Sequence, residues 1–550
     1  MQVLSRIIDS IKRYNFVEIE LRGEIPEEEE RFIFPFLPRK GKLTVWDLER
    51  LFLYLSDSPK VLGVLVKIRE LRIGLARAEA IRRGILKLRE KGKRVFVYLE
   101  SADNIQYLIG SASEKIFMPP WAILNLIGLS AEVTFFKDTL DKLGIEAQIK
   151  GLGEYKSAAE TFTRKAMSEP HKSMMDSIIS DIYSQFVKYI SQGRGMEEER
   201  IMTLIDDGPF LAEEARERRL IDEIVYECDL EKRIEKVMDL RIQKISPRIF
   251  LKVANVNETV LSIKNRIRGN ASTIALVCDS GLITLGESRG RAGAKTLGSQ
   301  TLIKILDKLS KDKSIKAIVL RISSPGGSGV ASDLIRYQIK SVSEKKPVII
   351  SMSDVAASGG YMIALGANKI VADSLSLTGS IGIVFGKFNL NGFLKKLGVT
   401  KEWITRGKRA LMFSSYRGFT KKEDERLDAI MESFYRDFVE KVAEGRAMDF
   451  ESAEQLARGR VWTGRQAKEA GLIDELGGIK EAIEIAKREA GIPDGVSPRI
   501  KFVSKPKGIQ FTPFGKSFAW SIQFDSFVDS LQELGRERVF ALMPFRIDFK

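Results

Sequence analysis

Residues 354–370 read DVAASGGYMIALGANKI and place a serine between an apolar stretch and two glycines. The preceding residues 347–353, PVIISMS, have the aliphatic composition of a buried strand, and the residues after Ser358 have the composition of a helix. Backbone amides at the start of a helix favour a negative charge. A serine in this position can act as a nucleophile, although a serine that only begins a helix would have the same surroundings.

A second glycine-rich segment, SSPGGSG at residues 323–329, follows another apolar stretch. Glycine adopts backbone angles that other residues avoid and lets a substrate approach closely, so Gly326 and Gly327 can present free N–H groups. Together with the backbone amides at the start of the helix after Ser358, they would form an oxyanion hole, which stabilises the charge that develops on an attacked carbonyl. Each segment by itself is also compatible with an ordinary turn.

A serine nucleophile needs a base, and the sequence contains a single histidine, His171. It follows Ser168 and Pro170, which predict the start of a helix, and we expect it to be a solvent-exposed residue of that helix. A single histidine in such a position argues against a Ser-His-Asp triad and against a histidine-rich metal site. No metal or cofactor is expected.

Lysine can replace histidine as the base if burial lowers its pKa from about 10.4 towards neutrality. Lys156 lies among small residues and a tyrosine in GLGEYKSAAETF, after a glycine-rich turn. Lys408, in ITRGKRALMF, lies at the equivalent position of a related segment, between a glycine and an arginine. The more charged surroundings of Lys408 would lower its pKa less readily. The residues alone leave both lysines open, and either is also compatible with a solvated surface position.

The chain contains the same succession of elements twice. Patterns of strand, loop, helix and strand begin near residues 61 and 315, YLIGSASEKI from Tyr107 matches YMIALGANKI from Tyr361, and EARERRLIDEI matches QAKEAGLIDEL. Apolar strands that alternate with amphipathic helices are typical of β-α-β units. The sequence therefore predicts an α/β protein made by tandem duplication of one unit.

The duplication sets the expected domain boundaries. We place the first copy at residues 1–235, a connecting segment at 236–271, the second copy at 272–490 and an aromatic-rich tail at 491–550. We expect the tail to dock on a core, and the alternative is a lid over the site or a surface that faces a membrane. These boundaries follow only from the repeat pattern and from changes in composition.

Equivalent positions of the two copies differ where the chemistry is expected. At an offset of 254 residues (361 − 107), Ser358 falls opposite Asn104. The glycine pair of SSPGGSG falls opposite Arg72 and Ile73. The first copy therefore lacks both the serine and the glycine loop, while it holds the lysine in the less charged surroundings, Lys156.

Four segments resemble, in this order along the chain, the long and internally duplicated form of the signal peptide peptidase A family: GEYKSAAETFTRKAMS, ISSPGGSG, DVAASGGYMIALGANKIVAD and SLTGSIGI. The resemblance covers most of the chain. It implies a Clp-protease/crotonase-like fold and a serine endopeptidase that degrades remnant signal peptides or other extended apolar peptides through an acyl-enzyme. It also implies a ring-like or dome-like homo-oligomer, which we expect to be a tetramer.

The resemblance also assigns roles to residues of this chain. In the family pattern the second copy supplies the nucleophile and the first copy supplies the general base. Ser358 would be the nucleophile, Lys156 the base, and Ser380 of TGSIGI the hydroxyl that positions the lysine amine. The oxyanion hole would come from the amide of Gly359 and from one amide of the SSPGGSG segment.

Composition limits the partners and the location. The net charge of +15 arises from 89 basic against 74 acidic residues, and no basic run is interleaved with aromatic residues, so no nucleic-acid partner is expected. No stretch of about 18 apolar residues predicts a membrane-spanning helix or a secretory signal. The first residues, MQVLSRIIDSIKRYNF, have the spacing of an amphipathic helix, so peripheral membrane association and a cytoplasmic location both stay open. Cys228 and Cys278 are expected to be buried thiols.

Two functions of other classes are compatible with part of the pattern. A crotonase-type enzyme that acts on an acyl thioester would also use paired backbone amides, but it would need neither Ser358 nor Lys156. A catalytically silent scaffold would use Ser358 only to begin its helix. The presence of the glycine loop in the copy that has the serine, and its loss in the other copy, argues against a scaffold.

Overall fold

The computed structural model describes residues 14–27, 42–255, 272–288, 290–291, 294–494, 496–503 and 540–542. The expected amphipathic helix at the start of the chain lies almost entirely outside the described residues, and so does most of the aromatic tail. Among the described helices, none combines the length and the apolar composition that crossing a bilayer requires.

The first copy is built on a parallel sheet of six strands in the order β8-β4-β3-β2-β1-β9. Its strands consist of nearly uninterrupted runs of apolar residues, because helices cover the sheet and bury the strands. Its strands are β1 (Phe16–Gly23), β2 (Gly63–Leu71), β3 (Arg94–Leu99), β4 (Lys115–Met118), β8 (Glu223–Ile224) and β9 (Lys244–Ile245), with β5 (Ile123–Leu124), β6 (Glu146–Leu152) and β7 (Phe210–Leu211) outside this sheet. Its helices are α1 (Val45–Asp57), α2 (Leu75–Glu90), α3 (Asn104–Gly110), α4 (Lys137–Leu143), α5 (Glu160–Thr163), α6 (Glu169–Arg194), α7 (Glu198–Asp207), α8 (Ala212–Glu217) and α9 (Glu227–Met238).

The second copy contains a sheet in which β20-β18-β16-β14-β10-β22 lie in this order, with β17 beside β16 and β21 beside β17. Its strands are β10 (Thr273–Ser280), β11 (Leu282–Thr284), β12 (Gly290–Arg291), β13 (Ala294–Gly298), β14 (Ile315–Ser324), β15 (Gly326–Ser328), β16 (Val348–Ala357), β17 (Lys369–Ala372), β18 (Leu377–Gly379), β19 (Ile383–Asn389), β20 (Val461–Thr463), β21 (Glu475–Leu476), β22 (Arg499–Val503) and β23 (Phe540–Leu542). Its helices are α10 (Ser299–Lys311), α11 (Gly329–Ser343), α12 (Gly359–Ala364), α13 (Asn391–Lys396), α14 (Lys421–Arg446), α15 (Phe450–Leu456), α16 (Gly464–Glu469) and α17 (Ile479–Glu489).

The two large sheets share one topology. The path β21-β17-β16-β14-β10-β22 of the second copy repeats the path β8-β4-β3-β2-β1-β9 of the first, and every pair along both paths is parallel. The short antiparallel pair β5–β7 corresponds to β18–β20. The predicted α/β class and the predicted tandem duplication are confirmed. The exact domain boundaries stay a prediction.

A third, mixed sheet joins the copies in the order β12-β13-β11-β15-β23-β19-β6. Strand β6 of the first copy pairs antiparallel with β19 of the second along its whole length, from Glu146 opposite Asn389 to Leu152 opposite Ile383. The chain of the first copy is therefore paired with the second copy just before it reaches Lys156.

The copies also share a hydrophobic core. The largest cluster of buried apolar residues contains strands and helices of the first copy together with Leu276, Val319 and Ile349 from the parallel sheet of the second. Helix α2 contacts α1, α3 and β3 of its own copy and also strand β16 of this sheet, so part of its surface is covered by the other copy. Because each copy buries apolar surface of the other, the two units form one cooperative structure.

Buried charges lie between the copies beside this core. Arg321 is 0% exposed and donates to the Met352 carbonyl at 2.7 Å. Its guanidinium lies 3.4 Å from Glu27 of the first copy and 3.6 Å from Asp373 of the second. Arg83 of helix α2 lies 2.9 Å from the same Asp373 carboxylate. Each buried charge therefore has a partner of opposite sign across the interface between the copies.

Three local expectations are tested by side-chain burial. Helix α6 begins at the predicted place, with Ser168 as its cap, but His171 is 1% exposed and its Nδ1 lies 3.1 Å from Glu160. The expected exposure of His171 is wrong because the segment after Lys156 folds over the first turn of α6. Cys278 is buried as predicted, whereas Cys228 is exposed, so that expectation is wrong for Cys228.

Replacing Arg321 by alanine should strongly destabilise the protein. The change leaves Glu27 and Asp373 buried with fewer counter-charges, and breaking one partner of such a cluster costs about 3–5 kcal/mol. Urea unfolding followed by circular dichroism measures the loss. Arg436→Ala removes an arginine whose side chain is 76% exposed and should change stability by less than about 0.5 kcal/mol. Equal midpoints for the two variants would contradict a structural role for the buried cluster.

Candidate active site

Ser358 lies at the sharp turn between strand β16 and helix α12. Its backbone has φ 55° and ψ −111°, and its N–H donates to the Gly379 carbonyl at 2.7 Å. A non-glycine residue in such a conformation costs about 1–3 kcal/mol and persists only where its surroundings fix it. The serine is therefore held in a defined orientation at the end of a buried strand.

The two glycines after Ser358 permit close packing on the SSPGGSG loop. A Cβ on Gly359 would lie 2.5 Å from Ser332 Oγ and 3.3 Å from the Gly327 nitrogen. A Cβ on Gly360 would lie 2.9 Å from the Ser324 carbonyl oxygen. Both positions therefore exclude larger residues, and the first turn of α12 lies directly against the glycine loop.

The SSPGGSG loop has a backbone that only glycine adopts readily. Gly326 has φ 108° and Gly327 has φ 149°. The Gly326 N–H donates to Ser324 Oγ at 3.1 Å. A Cβ on Gly327 would lie 2.2 Å from the Ile283 carbonyl oxygen, so strand β11 holds the loop from the other side.

Lys156 reaches this site from the first copy. It follows strand β6 and a turn in which a Cβ on Gly153 would lie 2.4 Å from the Arg458 carbonyl carbon. The lysine is 3% exposed, and its Nζ lies 2.8 Å from Ser358 Oγ. The same amine donates to the Ser380 carbonyl at 2.7 Å and lies 2.9 Å from Ser380 Oγ. The structure thus brings Lys156, Ser358 and Ser380 together.

Burial holds the pKa of Lys156 well below the ordinary lysine value. Desolvation disfavours the charged ammonium, and none of the described acidic residues forms an ion pair with this amine. Lys408, the alternative base, is exposed and lies in a turn away from these contacts. Of the two lysines that the sequence left open, Lys156 is the one that is buried and contacts Ser358.

Ser380 also has an unusual backbone. Its φ is 53°, and its N–H donates to the Arg460 carbonyl at 2.6 Å. The paired strands β5–β7 and β18–β20 place Leu126 of the first copy opposite Ser380, so the first copy lacks this hydroxyl as well.

Sequence reasoning missed the segment that closes the lysine loop. A Cβ on Gly459 would lie 2.5 Å from the backbone nitrogen of Lys156, and a Cβ on Gly382 would lie 3.1 Å from Lys156 Cδ. The Tyr155 N–H donates to the Arg458 carbonyl at 2.8 Å. The available signal was again the comparison of the copies, because Asp207 stands opposite Gly459 at the offset of 252 residues (476 − 224).

A slot of one strand's width lies beside the site, between β15 and β19, and β23 fills it. Strand β23 runs antiparallel to β15, with Ala541 opposite Gly327. On its other side Phe540 pairs with Val384 of β19. The edge of the glycine loop therefore accepts an extended chain through backbone pairing, in the manner of strand addition.

Comparison with known proteins identifies the family. Residues 87–241 and 340–493 match the profile of peptidase family S49, one segment in each copy. The chain is 34% identical over 503 residues to the serine protease SPPA of Arabidopsis thaliana chloroplasts, and the match covers 90% of this chain and 72% of that protein. It is 31% identical over 468 residues to Protease 4 of Haemophilus influenzae, and that match covers 82% of this chain and 74% of the relative.

Solved structures show weaker overall similarity. A mutant of the 1510-N membrane-bound stomatin-specific protease matches 43% of this chain and 99% of its own, with 15% identity and a TM-score of 0.28. A mutant of ClpP1 from Listeria monocytogenes matches 40% of this chain and 98% of its own, with 16% identity and a TM-score of 0.24. The family match in both copies and the two long relatives confirm the expected serine peptidase, and the chain belongs to peptidase family S49.

Proposed function

We propose that the protein is a serine endopeptidase in which Ser358 is the nucleophile and Lys156 is the general base. The observation that carries this proposal is the 2.8 Å distance between Lys156 Nζ and Ser358 Oγ, made by a lysine that is 3% exposed. A buried amine with a lowered pKa can take a proton, and a serine hydroxyl needs a base at this distance. Ser380 positions the amine through two contacts.

In the proposed reaction Lys156 accepts and returns one proton during acylation of Ser358 and another during hydrolysis of the acyl-enzyme. The neutral amine takes the Ser358 hydroxyl proton while Oγ attacks the peptide carbonyl and forms a tetrahedral intermediate. The ammonium then protonates the leaving amine, and the acyl-enzyme remains on Ser358. Water loses a proton to Lys156 and attacks the ester, and the ammonium returns a proton to Ser358 Oγ as the acid product leaves.

The proposed oxyanion hole consists of the Gly359 amide and an amide of the glycine loop, Gly326 or Gly327. The Gly326 N–H donates to Ser324 Oγ, and Gly327 pairs with Ile283 of β11 and with Ala541 of β23, so the contacts do not select one of these two amides. The position of a Gly359 Cβ lies 3.3 Å from the Gly327 nitrogen, so these two residues border the same small space. Donors in such a hole contribute about 3–4 kcal/mol each to the stabilisation of the transition state.

The proposed substrates are extended apolar peptides, and remnant signal peptides are the class that the family resemblance implies. Support comes from the slot between β15 and β19, which pairs with a backbone on both sides and so requires an extended chain. Backbone pairing recognises any sequence in an extended conformation, and side-chain preference would come from pockets along the slot.

We also propose that the protein forms a homo-oligomer, which we expect to be a tetramer. For its location we propose either peripheral contact with a membrane surface or the cytoplasm. Trp121 is 92% exposed, and Ile123 and Leu211 are exposed where they face each other on β5 and β7. Exposed apolar patches of this kind mark interaction surfaces. The excess of basic residues would suit an anionic membrane surface. Light scattering and vesicle sedimentation measure the two properties separately.

Substitution of the proposed dyad should abolish peptide hydrolysis. Ser358→Ala removes the nucleophile and Lys156→Ala removes the base, and each should lower kcat for an apolar peptide or casein by about a thousandfold or more. Lys408→Ala is the matched control, because it removes the equivalent lysine of the other copy from an exposed position. Full activity of folded Ser358→Ala protein would refute the proposed mechanism. Equal losses for both lysine variants would refute the choice of base.

The pH dependence of kcat/KM should report the lowered pKa of Lys156. Activity requires the neutral amine, which exists above its pKa, so kcat/KM should rise with pH and reach its plateau well below the ordinary lysine pKa of about 10.4. Stopped hydrolysis assays across the pH range measure the profile, with circular dichroism at each pH as the control for unfolding. A rise centred near pH ~10.4 would show that the base is an ordinary, solvated lysine.

Removal of strand β23 should increase hydrolysis. The edge of β15 can pair with only one strand, so Phe540–Leu542 and a substrate compete for it. A chain that ends at Val539 should show a kcat/KM that is higher by about fivefold or more, because the slot is open in every molecule. A synthetic peptide of residues 538–544, RVFALMP, should inhibit the truncated enzyme, and a scrambled peptide should not. Unchanged rates in a folded truncated chain would contradict this competition.

A further inference from the structure

Arg460 occupies a position between the two copies that the proposed chemistry does not use. Its backbone carbonyl accepts the Ser380 N–H at 2.6 Å and so holds the turn that carries the Ser380 hydroxyl. Its side chain points the other way, towards the first copy. One residue therefore contacts both the serine that positions the amine and the segment that supplies the amine.

The Arg460 side chain lies against aromatic rings from both copies. Its guanidinium carbon lies 4.5 Å from the ring centre of Trp462 and 5.5 Å from the ring centre of Tyr155, the residue before Lys156. Its Nη2 donates to Ser177 Oγ of helix α6 at 3.3 Å. No ion pair involves Arg460 among the described residues, so its attachment to the first copy consists of ring contacts and this hydrogen bond. A planar guanidinium is suited to lie against rings in this way.

The backbone beside Arg460 lies directly on the lysine of the proposed dyad. Gly459 has φ 80°, and its N–H donates to the Ile381 carbonyl at 2.7 Å. The Arg458 carbonyl accepts the Tyr155 N–H. Residues 458–460 are therefore fixed to the lysine segment on one side and to the Ser380 turn on the other.

The first copy has no equivalent of this arrangement. At the offset of 252 residues, Gly208 stands opposite Arg460 and Phe210 stands opposite Trp462. The first copy also has Leu126 where the second has Ser380. The arginine is therefore present only in the copy whose turn contacts the lysine amine.

We propose that Arg460 is a positioning residue that holds the Lys156 segment of the first copy against the Ser380 turn of the second. This inference rests on the proposed dyad of Ser358 and Lys156. The side chain of Arg460 holds the Tyr155 ring and helix α6 of the first copy, and its carbonyl holds the Ser380 turn of the second. Without the side chain, the amine loses its fixed position over Ser358 and becomes more accessible to water.

The first test is the kinetics of Arg460→Ala. A misplaced base slows the chemical step, so kcat should fall by about tenfold or more while KM changes by less than about twofold. Better access of water to Lys156 raises its pKa, so the acid limb of the kcat/KM profile should move to higher pH. A loss of stability alone would move neither the pH profile nor the ratio of the two kinetic constants.

Two further variants separate the ring contacts from the charge. Arg460→Lys keeps the positive charge but lacks the planar group, and it should recover only part of kcat. Tyr155→Leu removes the ring beside Lys156, and the double variant Arg460→Ala/Tyr155→Leu should lose less than the product of the two single losses, because both changes break the same contact. Full recovery in Arg460→Lys, or independent losses in the double variant, would overturn the proposed positioning through the ring contact.

The matched control is Arg436→Ala. Arg436 also lies over an aromatic ring, 5.9 Å from the centre of Phe450, but on the exposed face of α14. It should leave kcat and the pH profile unchanged. Equal effects of Arg436→Ala and Arg460→Ala would overturn the positioning role.

A fluorophosphonate probe distinguishes a failure of this inference from a failure of the proposed dyad. The probe forms an Oγ–P bond with an activated serine, and fluoride leaves as the hydroxyl proton passes to the base. Ser358→Ala should abolish labelling, and Arg460→Ala should slow it by about tenfold. Labelling that persists in Ser358→Ala would refute the dyad itself. Labelling that is lost in Ser358→Ala but unchanged in Arg460→Ala would refute only the role of Arg460.

Discussion

Burial of the Lys156 amine, with no acidic partner among the described residues, is the constraint on which the rest of the proposed site depends. An ammonium in this position would lose its hydration, so burial lowers the pKa of the amine and favours its neutral form. A neutral amine has two N–H groups and one lone pair. The carbonyl and hydroxyl oxygens of Ser380 are placed to accept from the two N–H groups, which leaves the lone pair for the hydroxyl of Ser358.

The groups of the proposed site are divided between the two copies. The lysine comes from the first copy, and the groups that cover it come from the second, which adds strand β19 to β6 and packs Gly382 and Gly459 against the lysine. In the first copy, Asn104 and Leu126 replace the two serines. In the second copy the equivalent lysine is exposed. Each copy therefore lacks the half of the proposed site that the other supplies, and the described residues of the pair contain one complete set of these groups.

The sequence predicts what depends on local pattern. The alternation of strands and helices, the repeat, the turn at Ser358 and the two glycine segments all follow from residue types within short windows. Burial of Lys156 does not, because the residues that cover it lie more than 200 positions away in the chain. The same limit applies to His171, because the local pattern places it in solvent whereas Glu160 covers it in the structure. It also applies to Cys228, whose exposure depends on which face of its helix packs against the sheet. Strand β23 has no local signal, since its pairing partner is the glycine loop.

The buried charges between the copies fix the position of the apolar surface of one copy relative to that of the other. Apolar faces tolerate small displacements, whereas a buried ion pair that loses its partner costs several kcal/mol. Arg77 of α2 pairs with Asp354 of β16. Arg321 donates to the carbonyl of Met352 on the same strand and pairs with Glu27 of the first copy. The strand that these charges fix is the one that ends at the strained backbone of Ser358. The contact between the Lys156 amine of one copy and the Ser358 hydroxyl of the other therefore depends on charged groups that take no part in the proposed chemistry.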